Sequence, residues 1–179
     1  MAYFGLRKPY VAPITDGAYG TMSTCGYAVS MTVTPNSASG SLYGDDAMRE
    51  YVEEFSNASV ELGVTHMPVE MYASMYGHTV SDGAVVFNTN DETPYCGLGT
   101  IGVEIIDGEK YYTALFLPKV KFAEPTEELN TKNDSITFGT PAITGTAMVD
   151  DTNTWKKSKR CDTEDAAIAY LKTCFGRGE

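Results

Sequence analysis

Alternation of apolar and polar positions is the strongest regular signal in this chain. Tyr27, Val29, Met31 and Val33 fall on one side of an extended run and Ala28, Ser30, Thr32 and Thr34 on the other, which predicts a half-buried strand ending at Pro35. Small polar residues over 36–41 predict a loop, part of a longer connection over 35–48. The runs 49–55 and 59–64 flank Ser56-Asn57-Ala58 and read as a hairpin, with Val60, Leu62 and Val64 inward and Glu61 outward. The stretch 47–55 is also compatible with a helical turn or two. Over 65–77 the spacing becomes helical, with Met71, Tyr72 and Met75 on one stripe, Pro68 and Glu70 suited to a first turn and Gly77 to an end. A short strand over 84–88 and a polar loop over 89–94 follow. Next comes a second hairpin, 96–106 and 111–122, joined by Asp107-Gly108. Its returning strand is apolar on both faces, with Tyr112, Ala114, Phe116 and Val120 on one and Tyr111, Leu115 and Leu117 on the other. Such a strand needs cover on both sides, from other layers or from a neighbouring subunit. A charged loop over 123–134, strands over 135–143 and 144–149, a turn at 150–153 and a basic strand over 155–160 complete the extended part. Asp162 or Thr163 caps a last helix (163–176 with its cap and end), whose stripe is Ala167, Tyr170, Leu171 and Cys174 and whose end is Gly176. The predicted fold is mainly β, an antiparallel sandwich or barrel-like arrangement in one domain over 1–179, with one short internal helix and one C-terminal helix.

Composition sharpens this in one respect, the placement of charge. Hydrophobic residues make up 42% and charged residues 21%, the balance of a globular chain. No apolar run reaches the roughly 18 to 20 residues of a membrane span, and 1–13 lacks the apolar stretch of a secretory signal, so no membrane partner is expected. The formal net charge is −11, and between Glu50 and Glu109 there is no lysine or arginine at all. The rest of the chain balances its acids and bases. Duplex binding relies on cations that neutralise phosphates, so this distribution argues against a nucleic-acid clamp. It does not argue against a conduit past which DNA slides. Cys25, Cys96, Cys161 and Cys174 are widely spaced and read as reduced, mostly buried thiols.

Several chemistries are refused by spacing. Gly97-Leu98-Gly99-Thr100-Ile101-Gly102 matches a dinucleotide fingerprint in letters only, because a polar loop precedes it and an extended run follows, where the fingerprint needs a strand and then a helix. A glycine-rich strand that lets other groups approach closely is the better reading. His66 and His78 have no second ligand at metal-binding spacing and read as surface or cap residues. Asp45-Asp46 and Glu53-Glu54 would point to opposite faces of a strand, and Asp91-Glu92 and Asp150-Asp151 read as solvated turns. No catalytic residues, metal site or cofactor are expected. Lys156, Lys157, Lys159 and Arg160 are the one concentration of positive charge. They suit either a solvated edge strand, where lysines deter unwanted pairing, or a charged interface meeting the acidic middle of another copy.

The order of segments resembles a known family. Tyr3-Phe4-Gly5-Leu6-Arg7-Lys8-Pro9, then Leu42-Tyr43-Gly44-Asp45-Asp46, Thr93-Pro94-Tyr95, Leu117-Pro118-Lys119-Val120-Lys121-Phe122 and Thr131-Lys132-Asn133-Asp134-Ser135-Ile136, followed by Trp155 and the helix with Ala166-Ala167, are similar to the major tail proteins of long-tailed, non-contractile bacteriophages. The resemblance implies a virion protein, a tail tube subunit whose copies form stacked, six-membered rings around a bore that conducts genomic DNA. It implies partners of the same kind, together with a tape measure protein, a tail terminator and a distal tail protein; some members of that family carry a further C-terminal immunoglobulin-like domain, which is not expected within 1–179. The 1–13 arm and the 35–48 loop are then expected to order between copies. Duplex DNA carries a negative charge per about 1.7 Å of axis, so a bore lined with carboxylates would let it pass without adhering. Glu50, Glu54, Glu61 and Glu104 are the candidate bore residues, and Tyr111, Leu115, Leu117, Lys156, Lys157, Lys159 and Arg160 the candidate inter-subunit residues. The rival expectation is a monomeric β-sandwich binding module of the adhesin or carbohydrate-recognition type, with Tyr43, Tyr72, Tyr95, Tyr111 and Tyr112 as a sugar platform.

Overall fold

The computed structural model describes residues 3–126 and 140–176. Eleven strands and two helices follow in order: β1 Tyr3–Thr15, β2 Ala18–Tyr19, β3 Ser23–Thr24, β4 Ala28–Gly44, β5 Ala47–Val64, α1 Val69–Tyr76, β6 Thr79–Ser81, β7 Ala84–Val86, β8 Tyr95–Ile106, β9 Glu109–Phe122, β10 Ala142–Met148, β11 Lys157–Cys161 and α2 Glu164–Cys174. The fold is mainly β, as the alternation predicts. One antiparallel sheet runs β2-β1-β8-β9-β10-β5-β4, with β11 added to β9 and β3 to β1, while β6 and β7 form a small separate hairpin.

The sheet curls so that inward side chains of both halves meet in one core. Val11, Leu98, Leu117 and Val120 come from one half and Val60, Leu62, Val64 and Ile143 from the other, with Met71, Met75 and Tyr76 of α1 joining them. A second core lies on the opposite face of β8 and β9, where Ile101, Ala114 and Phe116 pack under Ala167, Leu171 and Phe175. The glycines of β8 make this second contact close. A Cβ on Gly97 would lie 2.7 Å from the Tyr19 ring and 2.9 Å from Phe175, and one on Gly99 would lie 3.1 Å from Leu171. The close approach expected of this glycine-rich strand is thus to α2, which settles on the sheet through it.

The two apolar faces of β9 are therefore covered within the chain. Leu117 is fully buried in the first core and cannot reach another subunit, contrary to its assignment as an inter-subunit residue. Leu115 and Tyr111 are half-buried on that same side. Val120 also changes side relative to the simple alternation. The register between β8 and β9 shifts between Cys96 and Leu98, and past Pro118 it is Leu117, Val120 and Phe122 that share the first core.

The largest departure from the sequence reading is at β4 and β5. The segment 36–41 is not a loop and Ser56-Asn57-Ala58 is not a turn. Both strands run unbroken through these positions, paired from Ala28↔Val64 to Gly44↔Ala47. Serines and glycines do not prevent pairing, because the ladder uses backbone groups that every non-proline residue has. The turn is Asp45-Asp46, both in the left-handed region at φ 50° and 61°, the arrangement of a two-residue hairpin loop. At the supposed turn there is instead a bulge: Asn36 pairs with Asn57 and Ser37 with Phe55, leaving Ser56 extra. The 1–13 segment is likewise corrected from about Tyr3 onward. It is strand β1, paired with β8 from Tyr3↔Glu104 to Pro13↔Cys96.

Both helices form where the spacing places them. Gly77 closes α1 at φ 79°, and Thr163 caps α2 with its hydroxyl accepting from the Ala166 amide at 3.2 Å. The strand expected over 135–143 lies largely outside the described residues, and β10 spans the supposed break between 143 and 144.

Candidate functional site

The bulge at Ser56 decides which face each acidic side chain takes. Phe55 and Ala58 both pack on the first core although three positions apart, so the alternation turns over between them. Asn57, Ser59 and Glu61 lie on the outer face of the sheet before the bulge. After it, Glu54, Val52 and Glu50 continue that face. Three of the four candidate carboxylates, Glu50, Glu54 and Glu61, are thus brought onto one exposed surface. Around Glu61 the surrounding side chains are small and hydroxylated, whereas Val52 and Leu42 flank Glu50 and Glu54 with exposed apolar surface. Thr32, Glu61 and Thr144 form one row across β4, β5 and β10, and Thr34, Ser59, Thr146, Lys121 and Tyr95 form the next, reaching β8. The lysine Nζ of Lys121 lies 5.4 Å from the Tyr95 ring centre and that of Lys119 4.8 Å, so the cations of this region rest on an aromatic face.

Glu104 is a correction. Its side chain is enclosed rather than outward, because Tyr3 on β1 and Tyr111 on β9 flank it in the sheet. Thr113 Oγ1 donates to its Oε1 at 2.8 Å and Arg160 Nε donates to the same oxygen at 2.7 Å. These hydrogen bonds, Thr113 first and Arg160 next, hold its carboxyl below the usual range. Oε2 is buried without a hydrogen-bond partner among the described residues. Glu104 fixes Arg160 on β11 and cannot line a bore.

Beyond the bulge, β4 and β5 leave the body of the protein. Among the described residues the ribbon 36–57 pairs only with itself, since β10 meets β5 over Ala58 to Gly63. The face continuing from the core carries Phe55, Glu53, Tyr51, Met48 and Tyr43, and the last three are more than half exposed. An isolated two-stranded hairpin is marginal in water, and this one also presents apolar side chains to it. Its root is held by Phe55 stacked on Trp155 at 4.7 Å between ring centres.

The basic strand begins at that root. Lys156 Nζ lies 4.6 Å from the Trp155 ring centre, Lys159 Nζ 5.2 Å from that of Tyr170, and the Arg160 guanidinium 5.8 Å from that of Tyr111. The partners of Lys159 and Arg160 are distant in sequence and close in space, which spacing along the chain does not reveal, whereas that of Lys156 is its neighbour. β11 pairs with β9 on one side and has no strand on its other edge among the described residues. Among the described residues, Lys156, Lys157 and Lys159 make no ion pair.

The sequence reading missed a buried ionic cluster. His78 is not a surface residue: its side chain is 7% exposed, with Nδ1 2.7 Å from Asp91 and Nε2 3.0 Å from Glu124. Asp91 is not a solvated turn residue either, since it also accepts the Asn88 amide at 2.9 Å. Burial disfavours the charged imidazole, but hydrogen bonds to Asp91 and Glu124 outweigh it and raise the His78 pKa. The ring joins the end of α1, the loop before β8 and the exit of β9. No group of three or more metal-ligating side chains that could hold an ion occurs among the described residues. Cys25, Cys96 and Cys161 are buried, and desolvation pushes Cys25 and Cys96 up to about 12, which makes them inert core thiols.

The proposed tyrosine platform does not form. Tyr43 stands at the tip of the ribbon, Tyr72 packs on Tyr76 and Phe87, Tyr95 lies under lysines, and Tyr111 and Tyr112 alternate across β9. No protein-family model matches the chain, and no curated protein matches it.

Proposed function

We propose that this chain is the subunit of a self-assembling tube of the kind that forms the tail of long-tailed, non-contractile phages. The observation that carries the reading is the projecting ribbon 36–57, which exposes Tyr43, Met48 and Tyr51 and finds no cover among the described residues. A segment of this kind is stabilised by docking on another copy. In the tube, rings of six copies would be the unit that the resembled family implies, and the tape measure, terminator and distal tail proteins its other neighbours. The chain then resides in the virion and performs no catalysis.

The outer sheet face supports a role for the bore. It carries Glu61, Glu54 and Glu50 along roughly 35 Å of strand β5, among threonine and serine hydroxyls near the body and the exposed Val52 and Leu42 toward the tip. Phosphates passing such a wall meet three carboxylates and no arginine fork, and its one lysine in these rows, Lys121, rests on the Tyr95 ring. Glu104 has no part in this.

Electron microscopy of negatively stained, purified protein over rising concentration tests the reading. Hollow tubes or rings are expected. A chain that sediments as a monomer at every concentration would sink it and favour a monomeric binding module.

A further inference from the structure

Two exposed sets of charges, opposite in sign, make few ion pairs among the described residues. The tip and core-side face of the ribbon carry Asp45, Asp46 and Glu53, of which only Asp45 makes an ion pair, with Arg49 at 3.3 Å. Glu53 receives a hydrogen bond from the Tyr51 hydroxyl at 3.3 Å and no cation. On the body, Lys156, Lys157 and Lys159 lie at or beside β11, the first and last over aromatic rings; none makes an ion pair among the described residues, although the charge of Lys157 is felt by Asp150.

The Asp45-Asp46 tip cannot meet the basic strand within one chain, whereas Glu53 lies two residues from Phe55, near the root. Phe55 at the ribbon's root stacks on Trp155, next to Lys156, while ten residues of extended strand separate Phe55 from Asp45. At about 3.3 Å per residue the tip stands roughly 30 Å from the strand whose charge it complements. A straight paired ribbon does not fold back over its own root.

From this we infer that the ribbon of one copy docks, by its Tyr43, Met48, Tyr51 and Glu53 face and its Asp45-Asp46 tip, on the basic β11 edge and the adjoining α2 flank of the next copy. The inference rests on the tube-forming reading and names the surfaces that join its subunits. The contact has the right components. Tyr43, Met48 and Tyr51 supply exposed apolar surface, Trp155 and Tyr170 supply rings to receive it, and the lysines poised on those rings meet the incoming carboxylates. The opposite ribbon face, with Glu50 and Glu54, is left free. Because the two surfaces differ, the contact is heterologous: each copy offers a ribbon to one neighbour and receives a ribbon from another, which generates rings or filaments rather than a closed pair. The lysines that protect an open strand edge from indiscriminate pairing thereby select an acidic partner.

Charge reversal and charge exchange test it. All substitutions are at exposed side chains, and circular dichroism and thermal unfolding confirm that each variant folds. The critical concentration for assembly is read by sedimentation and microscopy at about 0.1 M salt. Lys157→Glu with Lys159→Glu is expected to raise it about tenfold or more, and so is Asp46→Lys with Glu53→Lys, because like charges then face each other across the contact. All four substitutions in one chain should return it to within about threefold of the unaltered protein. If either reversed pair assembles as the unaltered protein does, or if the exchange fails to restore assembly, the inference is wrong although tubes still form. If the unaltered protein never assembles, the tube-forming reading itself has failed. A short DNA duplex serves as a further probe: assembly unaffected by Lys157→Glu with Lys159→Glu, but loss of duplex binding, would assign the basic edge to nucleic acid and overturn the pairing of copies.

Discussion

His78 shows how a side chain that reads as unremarkable in sequence becomes a structural joint. Both ring nitrogens face carboxyl groups, an arrangement that favours the imidazolium, which donates from both. Its pKa is raised in the folded chain, and that of Asp91 is lowered, first by the hydrogen bond to His78 and then by the Asn88 amide. A raised histidine adds stability that is full below its unfolded value of about 6.5 and is lost as pH rises through the folded value. A lowered carboxyl adds stability that is present above its unfolded value and is lost as pH falls through the folded one. The cluster therefore contributes most on the mildly acidic side of neutrality. Replacing His78→Gln removes the titration and keeps a polar side chain. The difference in Tm between the unaltered protein and this variant should be largest near about pH 5 to 6 and shrink toward pH 9. An equal difference at both pH values would show that the ring is not charged in the folded protein. No sequence spacing announces this joint, because Asp91 and Glu124 come to His78 through two unrelated turns of the chain.

At the level of elements, the contact of α2 with the sheet depends on β8 having no side chains at Gly97 and Gly99. Tyr19, which a Cβ at Gly97 would strike first, is itself fixed, since its hydroxyl donates to the Pro118 carbonyl at 3.0 Å and its ring meets Phe116 and Phe175 edge-on. Gly97→Ala should thus lower the unfolding free energy by about 1 to 3 kcal/mol in a urea titration. Gly40→Ala in the ribbon, where a Cβ would meet nothing within 4 Å, should change it little. Equal effects would mean that the close approach is relieved by movement of α2. Much of this layer was legible. Asp107-Gly108 marks the β8–β9 turn, and the same dipeptide at Asp16-Gly17 and Asp82-Gly83 marks the turns after β1 and β6, which the sequence reading passed over. The helices were legible because caps and spacing agree locally: Thr163, Gly77 and the stripe through Ala167 and Leu171 need no distant information. The ribbon was not, because Ser37, Ser39, Gly40 and Ser41 have loop composition and are extended only through their partners on β5. The side taken by Glu50 and Glu54 was hidden for the same reason, since it depends on one extra residue at Ser56. For Glu104, alternation could locate a strand but not the tyrosine, threonine and arginine that enclose it.

For the molecule as a whole, the decisive contrast is between a body with two filled cores and a ribbon that contributes to neither beyond Phe55. Stability and association are then separable. The residues from Ala38 to Glu54 bury little in the single chain, so removing them should leave both cores, α1 and α2 in place. Ser37 and Phe55 are paired directly across the ribbon, which allows a two-residue Asn-Gly turn to join them without a change of register. This shortened chain is expected to unfold cooperatively within a few degrees of the full protein, by roughly the argument that exposed substitutions away from packed sites cost little. It is also expected to form no tubes at concentrations where the full chain does, because the only large apolar surface on the ribbon has gone while the basic β11 edge remains without its complement. Calorimetry reads the first expectation and electron microscopy the second. Tubes from the shortened chain would show that association runs through the body alone, and loss of the cooperative transition would show that the ribbon supports the fold it projects from. The arrangement makes physical sense only if both expectations hold together: a ribbon this exposed adds backbone entropy cost and apolar hydration to the monomer, and those costs are offset only where a second copy covers it.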